Sequence, residues 1–329
     1  MTALYDIIII GGGPIGLACG IAAQKQKLSY LILEKGCLVN SLYHYPVNMT
    51  FFSTSERLEI GNTPFVTVNP KPRRAEALEY YRRVQTKFNL NTHLFEEVTG
   101  IHKEQEHLFR VHTTKDEYHA RNIIVATGFY DIPMYLGIPG ENLSKVSHYY
   151  NDPHYYAGQD VIVVGASNSS IDAALETYRK GARVTLIIRG EEISPRVKYW
   201  VRPDIENRIT EGEIKVYYSS KITEITQNEA EIETPNGTIR IQNDFVLALT
   251  GYQPNFDFLQ KIGITIPQDQ LKVPVHDTAT METNIRGIYL AGVVCGGLNT
   301  HLWFIENSRI HADIIVEDIL RKATHGDRQ

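Results

Sequence analysis

The 329 residues carry a formal net charge of −5, with 43% apolar and 22% charged side chains, the make-up of a folded chain long enough for two domains. No broad basic surface supports a nucleic-acid partner, and apolar runs such as Ile7 to Ile10 fall far short of the ~20 residues that cross a bilayer. No cleavable leader is expected, and Cys19, Cys37 and Cys295 form neither a disulfide framework nor a metal-ligand spacing, so the chain reads as cytoplasmic and metal-free.

In chain order, Tyr5 to Ile10 is a β-branched run that stops at Gly11-Gly12-Gly13-Pro14 and is followed by the alanine-rich stretch Leu17 to Gln24. This predicts a buried strand, a tight turn and a helix. Tyr30 to Leu33 predicts the next strand, ending at Glu34. A short basic run, Lys71-Pro72-Arg73-Arg74, precedes a helix over Ala75 to Val84 and reads as a solvated helix start. Glu96 to Thr99 is strand-like, and Ile123-Ile124-Val125 runs into Ala126-Thr127-Gly128.

The opening pattern then recurs. Strand Val161 to Val164, turn Gly165 to Ser170, helix Ile171 to Lys180 and strand Val184 to Ile188 form a second unit, closed by the strand and turn Phe245 to Gly251. Gly287 to Gly292 reads as a last strand, and Trp303 to Lys322 as one C-terminal amphipathic helix. The expected fold is α/β, with two Rossmann-like three-layer dinucleotide-binding domains. Residues 1–131 and 253–329 make the first, and 132–252 make the second, inserted into it, with Pro133, Pro139, Pro153 and Pro254 punctuating the crossings.

Gly11-x-Gly13-x-x-Gly16 lies between a strand and a helix, with Glu34 at the end of the following strand. The first glycine permits the turn, the second admits a pyrophosphate and the third lets helix and strand pack closely, while an acid at the position of Glu34 receives ribose hydroxyls. The motif does not choose FAD over NAD. Its place favours FAD: it comes first, a second unit is inserted later, and a terminal segment returns to it.

Gly165-Ala166-Ser167-Asn168-Ser169-Ser170 departs from that pattern, with Ser167 and Ser170 in the second and third glycine positions. Serine is small enough for close approach, and its hydroxyl can bond a phosphate. Arg189 stands where an NAD-binding unit places an acid, so a 2′-phosphate and NADP(H) are expected, with Arg196 and Lys198 adding to the pocket. Glu191 and Glu192 weigh on the other side.

Two such units in this order, Ala126-Thr127-Gly128, and Thr250-Gly251-Tyr252-x-Pro254 together resemble the thioredoxin-reductase-like flavoproteins over nearly the whole chain. A narrower match is carried by Tyr45 to Ser55, Leu58-Glu59-Ile60-Gly61, Lys71 to Arg74 and Tyr80-Tyr81-Arg82, which look like the bacillithiol-disulfide reductase family. The resemblance implies reduction of a small thiol disulfide by NADPH through FAD, in a homodimer. It also implies cofactor contacts from Gly11, Gly12, Gly13, Pro14, Ile15, Gly16, Glu34, Lys35, Asn48, the Val98 backbone, Ala126, Thr127, Gly128, Gly251, Gly292, Val293 and Ile305. Gly165, Ser167, Asn168, Ser169, Ser170, Arg189, Arg196 and Lys198 would hold NADPH.

Three departures stand beside that resemblance. The Cys-x-x-Cys pair of thioredoxin reductases is replaced by Val146 to Asp152 without a cysteine, Ile15 stands where bacillithiol-type members can carry cysteine, and Val293 replaces the usual flavin-binding Asp. A ferredoxin or flavodoxin reductase, a flavin monooxygenase and a redox sensor without turnover are the other readings. Cys295, His148 and His301 are weak catalytic candidates: buried cysteines are more often packing residues, and turn histidines are common.

Overall fold

The computed structural model describes residues 4–326 and divides into two compact units. The first comprises residues up to Tyr45, Met49–Ile132 and the stretch from Tyr252 onward; the second comprises Pro46–Asn48 and Pro133–Gly251.

The first unit is built on a seven-stranded sheet. Its parallel centre runs β3 (Thr92–His93), β2 (Tyr30–Leu33), β1 (Leu4–Ile10), β6 (Glu117–Val125). Ile7, Ile8 and Ile9 are fully buried, as expected of a central parallel strand covered on both faces, each side chain contributing roughly 1.5–3 kcal/mol of burial. The long strand β6 has a divided outer edge. Its first half pairs antiparallel with β5 (Leu108–Thr113), which continues to β4 (Val98–Gln105), while Ile123–Val125 pairs parallel with the returning strand Ile288–Leu290. The C-terminal residues therefore complete the first sheet.

Helix α1 (Pro14–Lys25) starts on proline, which has no N–H to leave unsatisfied in the first turn, and buries Leu17, Cys19, Ile21 and Ala23. Helix α2 (Arg74–Phe88) buries Ala77, Tyr80, Tyr81 and Val84 at helical spacing. Arg74 is tied from Nε to the Leu42 and Tyr43 carbonyls at 3.2 Å each, so this basic residue secures a loop as well as opening a helix.

The expected single helix over Trp303 to Lys322 is two. Ile305–Ser308 is one short turn, and helix α5 (His311–Gly326) begins after a break at Arg309 and Ile310. Arg309 reaches the Glu59 carbonyl at 2.5 Å from Nη1, and the break sets His311 against the Gly292 backbone. Tertiary contacts override the continuous amphipathic pattern.

The second unit has a five-stranded parallel sheet: β7 (Val146–Ser147), β14 (Phe245–Ala248), β8 (Asp160–Val164), β9 (Arg183–Ile187) and β10 (Lys215–Tyr217), in that order. Helix α3 (Asn168–Arg179) follows β8, and helix α4 (Arg202–Thr210) precedes β10. An antiparallel three-stranded sheet, β11 (Lys221–Ile225), β12 (Glu229–Thr234) and β13 (Gly237–Gln242), separates β10 from β14.

Candidate functional site

Three turns of the first unit converge at the carboxyl end of its parallel strands, where open α/β sheets bind ligands. Gly11 has φ +109°, and a Cβ there would lie 2.5 Å from the Ala126 carbonyl oxygen. At Gly16 a Cβ would fall 1.8 Å from the Gly11 oxygen, so helix and strand approach as only glycine allows. Gly13 differs: its φ is −73° and a Cβ would meet nothing within 4 Å. The chain needs no glycine there, and the open space fits an anion resting on the first N–H groups of α1.

Glu34 is buried, and its two oxygens accept the N–H groups of Gly12 at 2.7 Å and Gly36 at 2.9 Å. Burial pushes its carboxyl above the ordinary range, and the two donors oppose that shift. The residue thus staples the glycine turn to the loop after β2, while each oxygen keeps a further lone pair for a ribose hydroxyl. Beside it lies a cavity of about 510 Å³ lined by Lys35, Cys37, Asn40, Tyr43, Phe95 and Glu97, among others. Lys35 pairs with Asp131 at 2.8 Å, and Val98 opens β4 next to Glu97 with its side chain in the core.

The remaining first-unit positions gather around Gly292, whose φ is +84°. A Cβ there would be 3.3 Å from Ile15 Cγ1, so Ile15 fills the space against this turn; Gly128 faces Val293 across 3.9 Å, measured from a Cβ on the glycine to Cγ2. Ala126 N–H continues the ladder to Ile10, and Thr127 follows it. Ile305 starts the short helix, half-buried against the core.

In the second unit Gly165 has φ +133°, and its missing Cβ would lie 2.6 Å from the Leu249 oxygen. Ser170 is buried and its hydroxyl donates to the Ser167 carbonyl at 2.8 Å, so it shapes the turn instead of offering a donor to a phosphate. The Ser167 and Ser169 hydroxyls keep no partner among the described residues. Asn168 donates from Nδ2 to the Arg196 carbonyl at 3.1 Å and accepts the Lys198 N–H at 2.8 Å, binding the loop 194–198 to the turn.

Arg189 and Arg196 are exposed, and their guanidinium groups make no ion pair among the described residues. Lys198 does not join them: its buried ammonium lies 2.6 Å from Asp172. Asn48 is grouped with the second unit, its amide 3.5 Å from Glu176 of α3. Gly251 has φ +107° and follows β14.

Among the catalytic candidates, Cys295 is 1% exposed and burial pushes its thiol far up, so it is held as a neutral thiol. Burial likewise pushes the Cys19 thiol up to about 12 and raises that of Cys37. His148 sits at the carboxyl end of β7, Nδ1 3.3 Å from the Ala248 carbonyl and Nε2 3.4 Å from Glu141. His301 is an exposed turn residue ahead of Ile305–Ser308. The residue that the sequence did not single out is His311, buried beside Cys295 with Nδ1 accepting the Gly292 N–H at 3.1 Å.

Two glycine turns, each at the carboxyl end of the parallel strands of its own sheet, give the chain two dinucleotide-type cradles. The family model for pyridine nucleotide-disulphide oxidoreductases matches residues 8–292, and the chain belongs to that family. Within it the chain is of the Bdr type. It is 44% identical over 319 residues to bacilliredoxin reductase Bdr of Bacillus subtilis, covering 97% of this chain and 98% of that one. The solved bacillithiol disulfide reductase Bdr from Bacillus cereus superposes with a TM-score of 0.95 at 43% identity, over 97% of this chain and all of that one. The Staphylococcus aureus enzyme of the same description gives 0.95 at 40%, over 98% and 99%. Among the described residues no helix is long and apolar enough to cross a membrane.

Proposed function

We propose that this chain is a cytoplasmic, homodimeric reductase that oxidises NADPH and reduces a low-molecular-weight disulfide of the bacillithiol type through bound FAD. The observation that carries the reading is Gly13: beyond its chain neighbours, a Cβ there would meet no atom of the described residues within 4 Å, in a turn otherwise packed to the limit of glycine. That is the space a pyrophosphate requires. The adenosine end of FAD suits the polar cavity beside Glu34 and Lys35, and Arg189 with Arg196 offers to a 2′-phosphate two guanidinium groups that make no ion pair among the described residues.

FAD held by this cradle would supply the two-electron redox chemistry between NADPH and the disulfide. The chain's own residues bind and orient. Glu34 fixes the glycine turn, Ile15 and Val293 present an apolar wall at the Gly292 turn, and the buried cysteines stay out of the exchange as neutral thiols. Membership of the Bdr group does not favour a ferredoxin reductase, a monooxygenase or a sensor without turnover.

The test is steady-state NADPH oxidation by FAD-loaded protein against bacillithiol disulfide, cystine and glutathione disulfide. Turnover with bacillithiol disulfide well above the other two is expected; no disulfide-dependent oxidation by flavin-loaded protein would reject the substrate class.

A further inference from the structure

One buried polar group has no part in the function above. His311, in the first turn of α5, is 1% exposed, and its Nδ1 accepts the Gly292 N–H at 3.1 Å. A nitrogen that accepts carries no proton, so the neutral ring holds its proton on Nε2. Burial pushes its pKa down to about 4, with His276 adding to the effect, which keeps the ring neutral at ordinary pH.

The surroundings fix the ring closely. Trp303 packs across it with ring centroids 4.5 Å apart at 78°, and the Cys295 sulfur lies 3.9 Å from the same Nδ1. The Nε2 proton, also buried, has no acceptor among the described residues, which makes it a place for an ordered water. An imidazole kept in so demanding a position does something that a leucine of similar size would not.

The partner of Nδ1 indicates what that is. Gly292 has φ +84°, begins the turn Gly292–Gly296 and carries Ile15 against it. Its neighbour is Val293, so the turn lacks a side-chain carboxylate that could anchor a ligand there, and any contact it makes with a bound flavin comes from backbone and shape. The orientation of the Gly292 peptide then sets that contact.

We propose that His311 is a positioning residue for flavin: its Nδ1 holds the Gly292 N–H and thereby fixes the turn against which the FAD chain is laid. The proposal rests on the flavoprotein reading above. It assigns His311 no proton transfer.

The test uses the full chain, freed of flavin and titrated with FAD, with the visible flavin spectrum recorded for each variant. His311→Leu removes the acceptor and is expected to weaken FAD binding about tenfold and to shift the flavin bands. His311→Asn offers its side-chain oxygen at the position of Nδ1, and is expected to bind within about threefold of the parent with an unchanged spectrum. If His311→Leu does not fold, His311→Gln, whose amide lies nearer the place of Nε2, takes its part with the same weakening expected.

Wild-type affinity and spectrum in His311→Leu or His311→Gln would overturn the proposal. So would a folded His311→Asn variant that binds FAD as poorly as the others. A parent protein that binds no FAD at all would instead reject the flavoprotein reading, a separate result.

Discussion

Asn168 holds the Arg196 carbonyl with its Nδ2 at 3.1 Å, so the first residue of α3 and the basic loop beyond β9 are one structural piece. The same side chain takes the Lys198 N–H. Losing it frees a loop whose guanidinium is otherwise already in place. Asn168→Ala is expected to raise KM for NADPH roughly three- to tenfold, and Arg189→Ala roughly ten- to a hundredfold with the NADH value nearly unchanged. Steady-state kinetics with both nucleotides check this; equal losses for NADH would show that Arg189 does not read the 2′-phosphate.

Gly13→Ala separates ligand from fold. The backbone there is extended, and a Cβ touches no protein atom, so the flavin-free variant should melt within about 1 °C of the parent. The same methyl intrudes on an approaching pyrophosphate, and FAD affinity should fall at least about tenfold by titration. Gly11→Ala, with its Cβ 2.5 Å from the Ala126 oxygen, should lose stability as well.

The buried imidazole gives a pH dependence of defined sign. His311 titrates near 6.5 when unfolded and at about 4 in the folded chain, so between these values the unfolded state binds the extra proton. Its contribution is complete above pH 6.5 and declines as pH falls to 4, by about 3 kcal/mol in all. Denaturant unfolding of the flavin-free protein at pH 7 and pH 4.5 should show a steeper acid loss in the parent than in His311→Asn. Parallel curves would contradict it.

Cys295→Ala is expected to retain disulfide turnover within about threefold, because a thiol buried to 1% and held neutral is no nucleophile. The cost should appear in thermal stability, at about 1–2 kcal/mol. Trapping of a mixed disulfide on Cys295 by mass spectrometry would contradict this.

Both nucleotide units could be read from the chain because their signals are local. A β-branched run stopping at Gly11 or Gly165 prescribes strand, turn and helix within a few residues, and Arg189 sits at a fixed offset from the second turn. What escaped depended on contacts distant in sequence. The pairing of the Lys198 ammonium with Asp172, 26 positions away, left no local sign in the chain. His311 lay inside an amphipathic run that read as one helix, and only the break at Arg309 and Ile310 brings it to Gly292, 19 residues earlier. The antiparallel sheet of β11 to β13 was missed as well, since its short alternating strands carry weak periodicity.

The proposed reaction is a two-electron path from NADPH to a disulfide through flavin on this chain. An anaerobic titration of the FAD-loaded protein tests it most directly: one equivalent of NADPH should bleach the flavin absorbance, and one equivalent of bacillithiol disulfide should restore it while two thiols appear. Flavin that stays oxidised with NADPH, or stays reduced when the disulfide is added, would rule that path out.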